Sequence, residues 1–279
     1  MLGISRRTFL RDTVAGATVV MAGSALRLRA ERKKMHIGVQ LYSIRNYIPN
    51  DVAGGFAAIK KMGYEGVEFA GYYGKDAKNL RQLLDDSGLR CCGTHIQLPT
   101  LLGDQLKPTI EFNQVLGNRF LVVPALPGVK TADDWRRTAE TFNQIAEQLK
   151  PVDMRLGYHN HTVEFQPVDG QLPIDLFLEK ASPDVFLQLD IGHVMRAGAD
   201  PLDFFKKHPG RALTVHLKEY SATKKDAVIG EGDMKWAEVL KACETTGGTE
   251  WYIIEEESGA YQGMEGIEKS LRGLEKLLG

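Results

Sequence analysis

Three ionisable side chains, Asp190, His216 and Glu255, each follow a short and mostly apolar run in this 279-residue chain. A carboxylate at the end of a buried run needs a cation or several hydrogen-bond donors, because burying an unpaired charge is costly. Carboxylates mixed with imidazole suit a transition-metal ion better than Ca²⁺, which prefers oxygen ligands. We therefore predict that these residues bind one divalent ion, for which Mn²⁺, Zn²⁺, Co²⁺, Fe²⁺ and Mg²⁺ are candidates. For Asp190 the alternative is a cap of the next helix.

Other polar residues also stand where apolar runs stop. A bound ion could polarise a sugar carbonyl and hydroxyl and stabilise an enediolate, while neighbouring His, Glu and Lys side chains move the proton. For Glu68 a salt bridge is the alternative, and for His95 a structural role. The predicted substrate contacts are Gln40, Glu68, His95 and His161, and His193 and Lys218 are predicted to be catalytic.

Short apolar runs alternate eight times with amphipathic segments from residue 35 onward. Strict alternation predicts a parallel sheet with crossover helices, and eight units close a single (β/α)8 barrel. An open doubly wound sheet is the alternative, but no glycine-rich phosphate turn follows the first run. We assign the barrel to 35–279 and expect chemistry at the carboxyl ends of its strands. The predicted strands are 37–42, 66–69, 90–95, 119–124, 154–160, 185–190, 212–217 and 251–256, and Gly63, Gly88, Gly117 and Gly247 are predicted to end helices.

The first 34 residues have the layout of an export signal. Arg6-Arg7 precedes Phe9-Leu10, as in a twin-arginine signal, and an apolar stretch follows at 14–25. This stretch is short for a membrane span, which needs about 20 residues; an uncleaved anchor is the alternative. We expect a leader and linker at 1–34, recognition by the twin-arginine machinery, and a periplasmic or otherwise exported protein.

The net charge of −1 conceals an uneven distribution. Residues 1–34 contain eight Lys/Arg and two acids, so the rest of the chain contains 27 basic and 34 acidic residues and carries −7. A barrel with this charge is a poor match for nucleic acid. The three cysteines show no CxxC spacing, so a disulfide scaffold is not expected.

Five strings occur in order after the leader. They are YHNHTVEF (158–165), LDIGH (189–193), TVHLKEY (214–220), GEGDMKW (230–236) and IIEEES (253–258). Together they resemble the sugar phosphate isomerase/epimerase superfamily, the xylose isomerase-like barrels that include inosose dehydratases and endonuclease IV. The resemblance covers about residues 36–279 and implies one metal ion held by residues from strands five to eight.

By this resemblance Asp190, His216 and Glu255 match three of the metal ligands, whereas the strand-five ligand departs from the family pattern. Many relatives have Glu before Asn-His, where this chain has His159. Glu164 follows shortly and could supply the missing carboxylate. We favour Glu164 as a ligand that pairs with Glu255 in acid–base catalysis, and His159 as a catalytic or substrate-binding group. The alternative makes His159 the ligand.

These residues favour a metal-dependent isomerase or epimerase of a non-phosphorylated sugar or keto-sugar. Export argues against a phosphorylated substrate, and no phosphate cradle is evident. A lyase of the inosose dehydratase or 3-keto-glycoside-cleaving type is the alternative, because elimination begins with the same proton abstraction. A non-catalytic sugar-binding barrel is another. An endonuclease-IV-like repair enzyme is disfavoured by the acidic barrel and the leader.

Overall fold

A computed structural model of the protein describes residues 35–257 and 263–279, and the predicted leader lies outside the described residues. Eight parallel strands form one closed barrel in chain order, with β8 paired to β1. The strands are β1 (His36–Gln40), β2 (Gly66–Phe69), β3 (Arg90–His95), β4 (Phe120–Val123), β5 (Arg155–His159), β6 (Val185–Asp190), β7 (Thr214–Leu217) and β8 (Trp251–Ile254). The predicted single (β/α)8 barrel is confirmed.

Helices alternate with these strands and cover the outside of the barrel. Those of the described residues are α1 (Val52–Met62), α2 (Ala77–Ser87), α3 (Leu106–Leu116), α4 (Ala132–Leu149), α5 (Pro173–Lys180), α6 (Ile191–Arg196), α7 (Pro201–Lys207), α8 (Trp236–Ala242) and α9 (Met264–Leu278). None of them is both long and apolar enough to cross a membrane.

Local capping chemistry sets several helix boundaries. Asp76 accepts a hydrogen bond from the backbone N–H of Asn79 at 2.8 Å and so starts α2. At the start of α4, Thr131 and Asp134 accept hydrogen bonds from each other's backbone N–H groups. These side chains satisfy N–H groups that have no partner within the helix, which is why the sequence marks these boundaries well.

Glycines end helices as predicted at three of four positions. Gly63, Gly88 and Gly117 have φ angles of 116°, 67° and 70°, which favour glycine. The prediction for Gly247 is wrong. A π turn, Cys243–Gly247, follows α8, and the left-handed residue is the next one, Gly248, with φ 73°. The wider turn delays the end of the helix by one residue.

Alternating side chains divide the barrel interior into layers. In β6, Phe186, Gln188 and Asp190 share one face, since side chains two apart point the same way. Phe186 belongs to a small apolar cluster, Gln188 hydrogen-bonds to Glu68 of β2, and Asp190 ends the strand. The apolar layer consists of Cys92, Phe120, Val122, Phe186, Trp251 and Ile253. Along β6, the polar residues Gln188 and Asp190 therefore lie on the carboxyl-end side of this apolar layer.

Gly157 makes room for Phe186 in this apolar layer. A Cβ atom at Gly157 would lie 2.4 Å from Phe186 Cζ, far inside van der Waals contact. We expect Gly157→Ala to lower the free energy of unfolding by about 1–3 kcal/mol, the usual cost of overpacking, measured by urea denaturation. The double variant Gly157→Ala/Phe186→Leu should recover part of the loss. Equal losses in both variants would contradict this packing.

One helix next to the site was not predicted. Asp190 is the N-cap of this helix, α6, and its Oδ1 accepts a hydrogen bond from the backbone N–H of His193 at 2.8 Å. The segment is too short for a helical repeat of apolar residues to be recognised. This cap fixes the direction of the Asp190 carboxylate.

Candidate metal centre

Four side chains at the carboxyl ends of β5, β6, β7 and β8 converge on one point. His159, Asp190, His216 and Glu255 each offer a ligand atom, and these atoms lie within 4.8 Å of one another. All four residues are buried, with 0–6 % of their surface exposed. Closure of the barrel produces this convergence, because residues 26 to 96 positions apart in the sequence come from the ends of four neighbouring strands.

His216 lies between two carboxylates, and its Nδ1 faces the other three side chains of the candidate centre. Its Nε2 lies 2.6 Å from Glu68 Oε2, and its Nδ1 lies 3.1 Å from Glu255 Oε2. A carboxylate can only accept, so Nε2 donates to Glu68 and Nδ1 donates to Glu255, and Nδ1 would have to lose its proton to bind an ion. This arrangement of carboxylate, imidazole and ion is common at metal sites, where the carboxylate orients the ligand ring.

Gln188 orients His159 and His95. Its amide nitrogen donates to Glu68 Oε1 at 2.6 Å, so its Oε1 is the acceptor for the two rings. His159 Nδ1 lies 3.1 Å and His95 Nε2 lies 2.7 Å from that oxygen. His159 therefore donates from Nδ1, and its Nε2 keeps the lone pair that a cation requires.

Asp190 shows that the site suits a cation. Its Oδ1 is used by the cap of α6, whereas its Oδ2 is buried without a hydrogen-bond partner in the described part of the chain. The nearest compensating charge is the ammonium of Lys218, 3.3 Å away. Among the described residues this buried carboxylate oxygen accepts no hydrogen bond. Together with a second carboxylate and two imidazoles, it forms a set of ligand atoms that fits a divalent ion.

The protonation states follow from burial and from the neighbouring charges. Burial alone would lower the pKa of His216, but Glu68 and Glu255 raise that pKa to about 10. Burial would raise the pKa of Glu255, but Lys218 and His216 hold it well below its usual range. Burial and the two nearby rings lower the pKa of His159, so this ring is neutral at pH 7.

A cavity of about 530 Å³, the mouth cavity, opens beside the four residues. This volume suits a small-molecule ligand. Its polar lining includes the predicted residues His95, His159, His161, His193 and Glu255, and three that the sequence analysis did not assign to the site, Tyr42, Gln97 and Glu257. Tyr42 and Gln97 each follow a predicted strand-end residue by two positions, and this spacing could have revealed them.

The structure places Glu164 differently from our expectation. Its Oε1 accepts a hydrogen bond from the Tyr158 hydroxyl, and its Oε2 accepts one from the backbone N–H of His161 at 2.7 Å. Tyr158 packs against the helix residue Phe142, outside the strands. Both Glu164 oxygens are therefore engaged, and His159 takes its place in the cluster.

Gln40 and Glu68, two of the predicted substrate contacts, lie among buried side chains. Both are fully buried and do not line the mouth cavity in the described part of the chain. Gln40 donates to Glu68 at 2.7 Å, and Glu68 also accepts from His216 and Gln188. Polar residues at strand ends face either the mouth cavity or the buried layer beneath it. The sequence pattern is the same in both cases, so it did not show which residues reach the cavity.

We expect Glu68→Gln to lower metal affinity roughly 10- to 100-fold, the usual effect of losing a group that orients a ligand. The amide removes the charge that holds His216 by its Nε2. Titration calorimetry with Mn²⁺ on apo protein measures the effect. Glu65→Gln, next to β2 and paired with Arg90, is the control. Unchanged metal affinity in Glu68→Gln would show that Glu68 does not orient His216 for metal binding.

Comparison with known proteins agrees with this architecture. The sequence profile of a family described as xylose isomerase-like TIM barrel matches residues 56–277. An inosose dehydratase of Clostridium perfringens is 23% identical over 235 residues, 70% of this chain and 78% of that protein. A solved sugar phosphate isomerase/epimerase from Parabacteroides distasonis is 25% identical with a TM-score of 0.76, over 87% of this chain and 98% of that one. The protein belongs to the family of xylose isomerase-like TIM barrels.

Proposed function

We propose that this protein is a divalent-metal-dependent isomerase or epimerase that moves a proton next to the carbonyl of a non-phosphorylated sugar or keto-sugar. One observation carries the proposal: His159, Asp190, His216 and Glu255 bring ligand atoms within 4.8 Å of one another. His159 and Glu255 also line a cavity of about 530 Å³, so the cluster and the substrate space are contiguous.

The four residues of this cluster would hold the ion. When bound, it would supply Lewis-acid polarisation of the carbonyl and hydroxyl oxygens of the substrate. His159 replaces Glu164 in the proposed ligand set, because both oxygens of Glu164 already accept hydrogen bonds. His159 contributes no charge, so the set has two carboxylates rather than three.

Glu255 is the first candidate for the base. Among the described residues, its contacts with His216 and Lys218 are all made by Oε2, which leaves Oε1 available for a proton next to the substrate carbonyl. His161 and His193 line the same cavity with ring centres 4.9 Å apart and can return the proton. Return to the neighbouring carbon is isomerisation, and return to the opposite face is epimerisation.

We also propose that residues 1–34 act as a twin-arginine leader and that the barrel works outside the cytoplasm. The support is Arg6-Arg7 followed by Phe9-Leu10 and an apolar stretch. A non-phosphorylated substrate agrees with this location. Fusion of residues 1–34 to a reporter that the twin-arginine pathway exports, with an Arg6→Lys/Arg7→Lys control, tests the leader.

Hydrogen exchange tests the function directly. Metal-loaded protein is incubated in heavy water with a panel of keto-sugars, and deuterium is located by NMR. We expect incorporation at a carbon next to the carbonyl, and none with chelator-treated protein. No exchange with any member of the panel, in protein shown to contain the metal, would contradict the proposal.

The second candidate is a dehydratase, which is favoured by the similarity to the inosose dehydratase of Clostridium perfringens. Elimination would begin with the same proton abstraction by Glu255, and a leaving hydroxyl would then take a proton from His161 or His193. Mass spectrometry separates the two functions: a dehydratase product is lighter by one water, whereas an isomer retains the mass of the substrate. Inosose is the first substrate to test.

A further inference from the structure

Lys218 places an ammonium group inside the candidate metal centre. Its Nζ lies 3.3 Å from Asp190 Oδ2, 2.9 Å from Glu255 Oε2 and 2.6 Å from Glu257 Oε2. Two of these carboxylates belong to the four proposed ligands, so one ammonium contacts half of the ligand set. The side chain is buried, and the contacts are therefore little screened by solvent.

The position of Lys218 argues against direct contact with a substrate. The described lining of the mouth cavity does not include Lys218, although it includes its partners Glu255 and Glu257. Lys218 instead lines a separate cavity of about 390 Å³, which also contains Glu257. A substrate in the mouth cavity would contact the carboxylates of Glu255 and Glu257 and not the ammonium. Lys218 therefore acts on the site through the carboxylate charges that it neutralises.

A metal ion and this ammonium require the same oxygens. Carboxylate oxygens bind Zn²⁺ at about 2.0–2.2 Å. An ion at that distance from Glu255 Oε2, which is 2.9 Å from Nζ, would lie within about 5 Å of the ammonium. Like charges at such a distance in a buried site repel each other. Asp190 Oδ2 shows the same competition, because the ammonium is its nearest charged partner.

We propose that Lys218 is a built-in counter-cation of the metal centre. It holds Asp190 and Glu255 in place while no ion is bound, and it gives up these two carboxylates to the ion while it stays paired with Glu257. This inference rests on the proposed function because it uses the same ligand set. Lys218 is then a positioning residue that limits metal affinity, and not the catalytic group predicted from sequence.

The sign of a change in affinity tests the inference. Lys218→Met keeps a long apolar side chain and removes the charge. We expect its apo form to melt at a lower temperature and to bind Mn²⁺ at least tenfold more tightly than wild type, measured by calorimetry and by the electron paramagnetic resonance signal of free Mn²⁺. A lysine that only orients the ligands would give weaker binding when replaced. Equal or weaker binding of Mn²⁺ would overturn the inference.

Two further variants complete the test. Lys206→Met removes an exposed lysine paired with Asp203 and should leave Mn²⁺ affinity unchanged. Glu257→Gln keeps the buried ammonium of Lys218, so this variant provides the test if Lys218→Met does not fold. We expect it to bind Mn²⁺ several-fold more weakly, since Lys218 then keeps only Asp190 and Glu255 as carboxylate partners. Unchanged or tighter binding in Glu257→Gln would contradict the inference.

The outcomes separate this inference from the proposed function. If wild type takes up no Mn²⁺ but Lys218→Met does, the counter-cation role stands and the proposed metal-dependent function of the natural protein fails. If wild type binds Mn²⁺ and Lys218→Met binds it no more tightly, the counter-cation role fails alone. If neither protein binds Mn²⁺, both fail.

Discussion

Glu255→Gln should bind divalent metal more than 100-fold more weakly than wild type and should show no deuterium exchange with any keto-sugar. The expected loss exceeds the roughly 10- to 100-fold effect of groups that only orient a ligand, because Glu255 is itself a proposed ligand. Its carboxylate is also the proposed base, and losing a general base alone typically costs about 10²–10⁴ in rate. Both consequences follow from one substitution of nearly equal size.

Calorimetry with Mn²⁺ and NMR-detected exchange measure the two losses separately. Glu250→Gln is the matched control, since Glu250 pairs with Arg119 just before β8, at the other end of that strand. It should retain both properties. Wild-type metal affinity in Glu255→Gln would remove Glu255 from the ligand set, and retained exchange would remove it as the base.

His159→Gln should weaken metal binding strongly, whereas Glu164→Gln should leave it almost unchanged. His159→Gln should lose more than about 100-fold in affinity, since the imidazole with its free Nε2 belongs to the cluster. Glu164→Gln should bind Mn²⁺ nearly as well as wild type. It should instead lower the free energy of unfolding by about 1–3 kcal/mol, because a buried hydrogen-bond network with Tyr158 and His161 is disturbed.

Calorimetry and urea unfolding on both variants measure the two effects. The reverse pattern, with metal affinity lost in Glu164→Gln and retained in His159→Gln, would restore the ligand set favoured from sequence. It would require the Glu164 carboxylate to leave both of its hydrogen bonds when an ion binds. A loss of metal affinity in both variants would point to a local collapse of the segment after β5.

The sequence by itself determined the fold and predicted which strands carry the candidate site. Eight alternations of apolar runs and amphipathic segments predicted the barrel, because parallel strands buried on both faces must be apolar and must be linked by crossovers. Burying an ionisable side chain such as Asp190, His216 or Glu255 at the end of an apolar run costs free energy unless it is paired. These residues were therefore recognisable as candidates from the sequence. Glycine and capping residues marked helix ends for equally local reasons.

Only the tertiary structure decided how deep each polar residue lies and what it contacts. Gln40 and Glu68 have the same strand-end pattern as Glu255, yet they form a layer beneath the site that depends on Gln188 from across the barrel. The choice of His159 over Glu164 depends on the two hydrogen bonds that Glu164 accepts, and one of their donors, Tyr158, is packed against Phe142 of α4. Contacts between distant parts of the chain, and the depth of a side chain in the barrel, produce no local periodicity. A short stretch of sequence therefore does not reveal them.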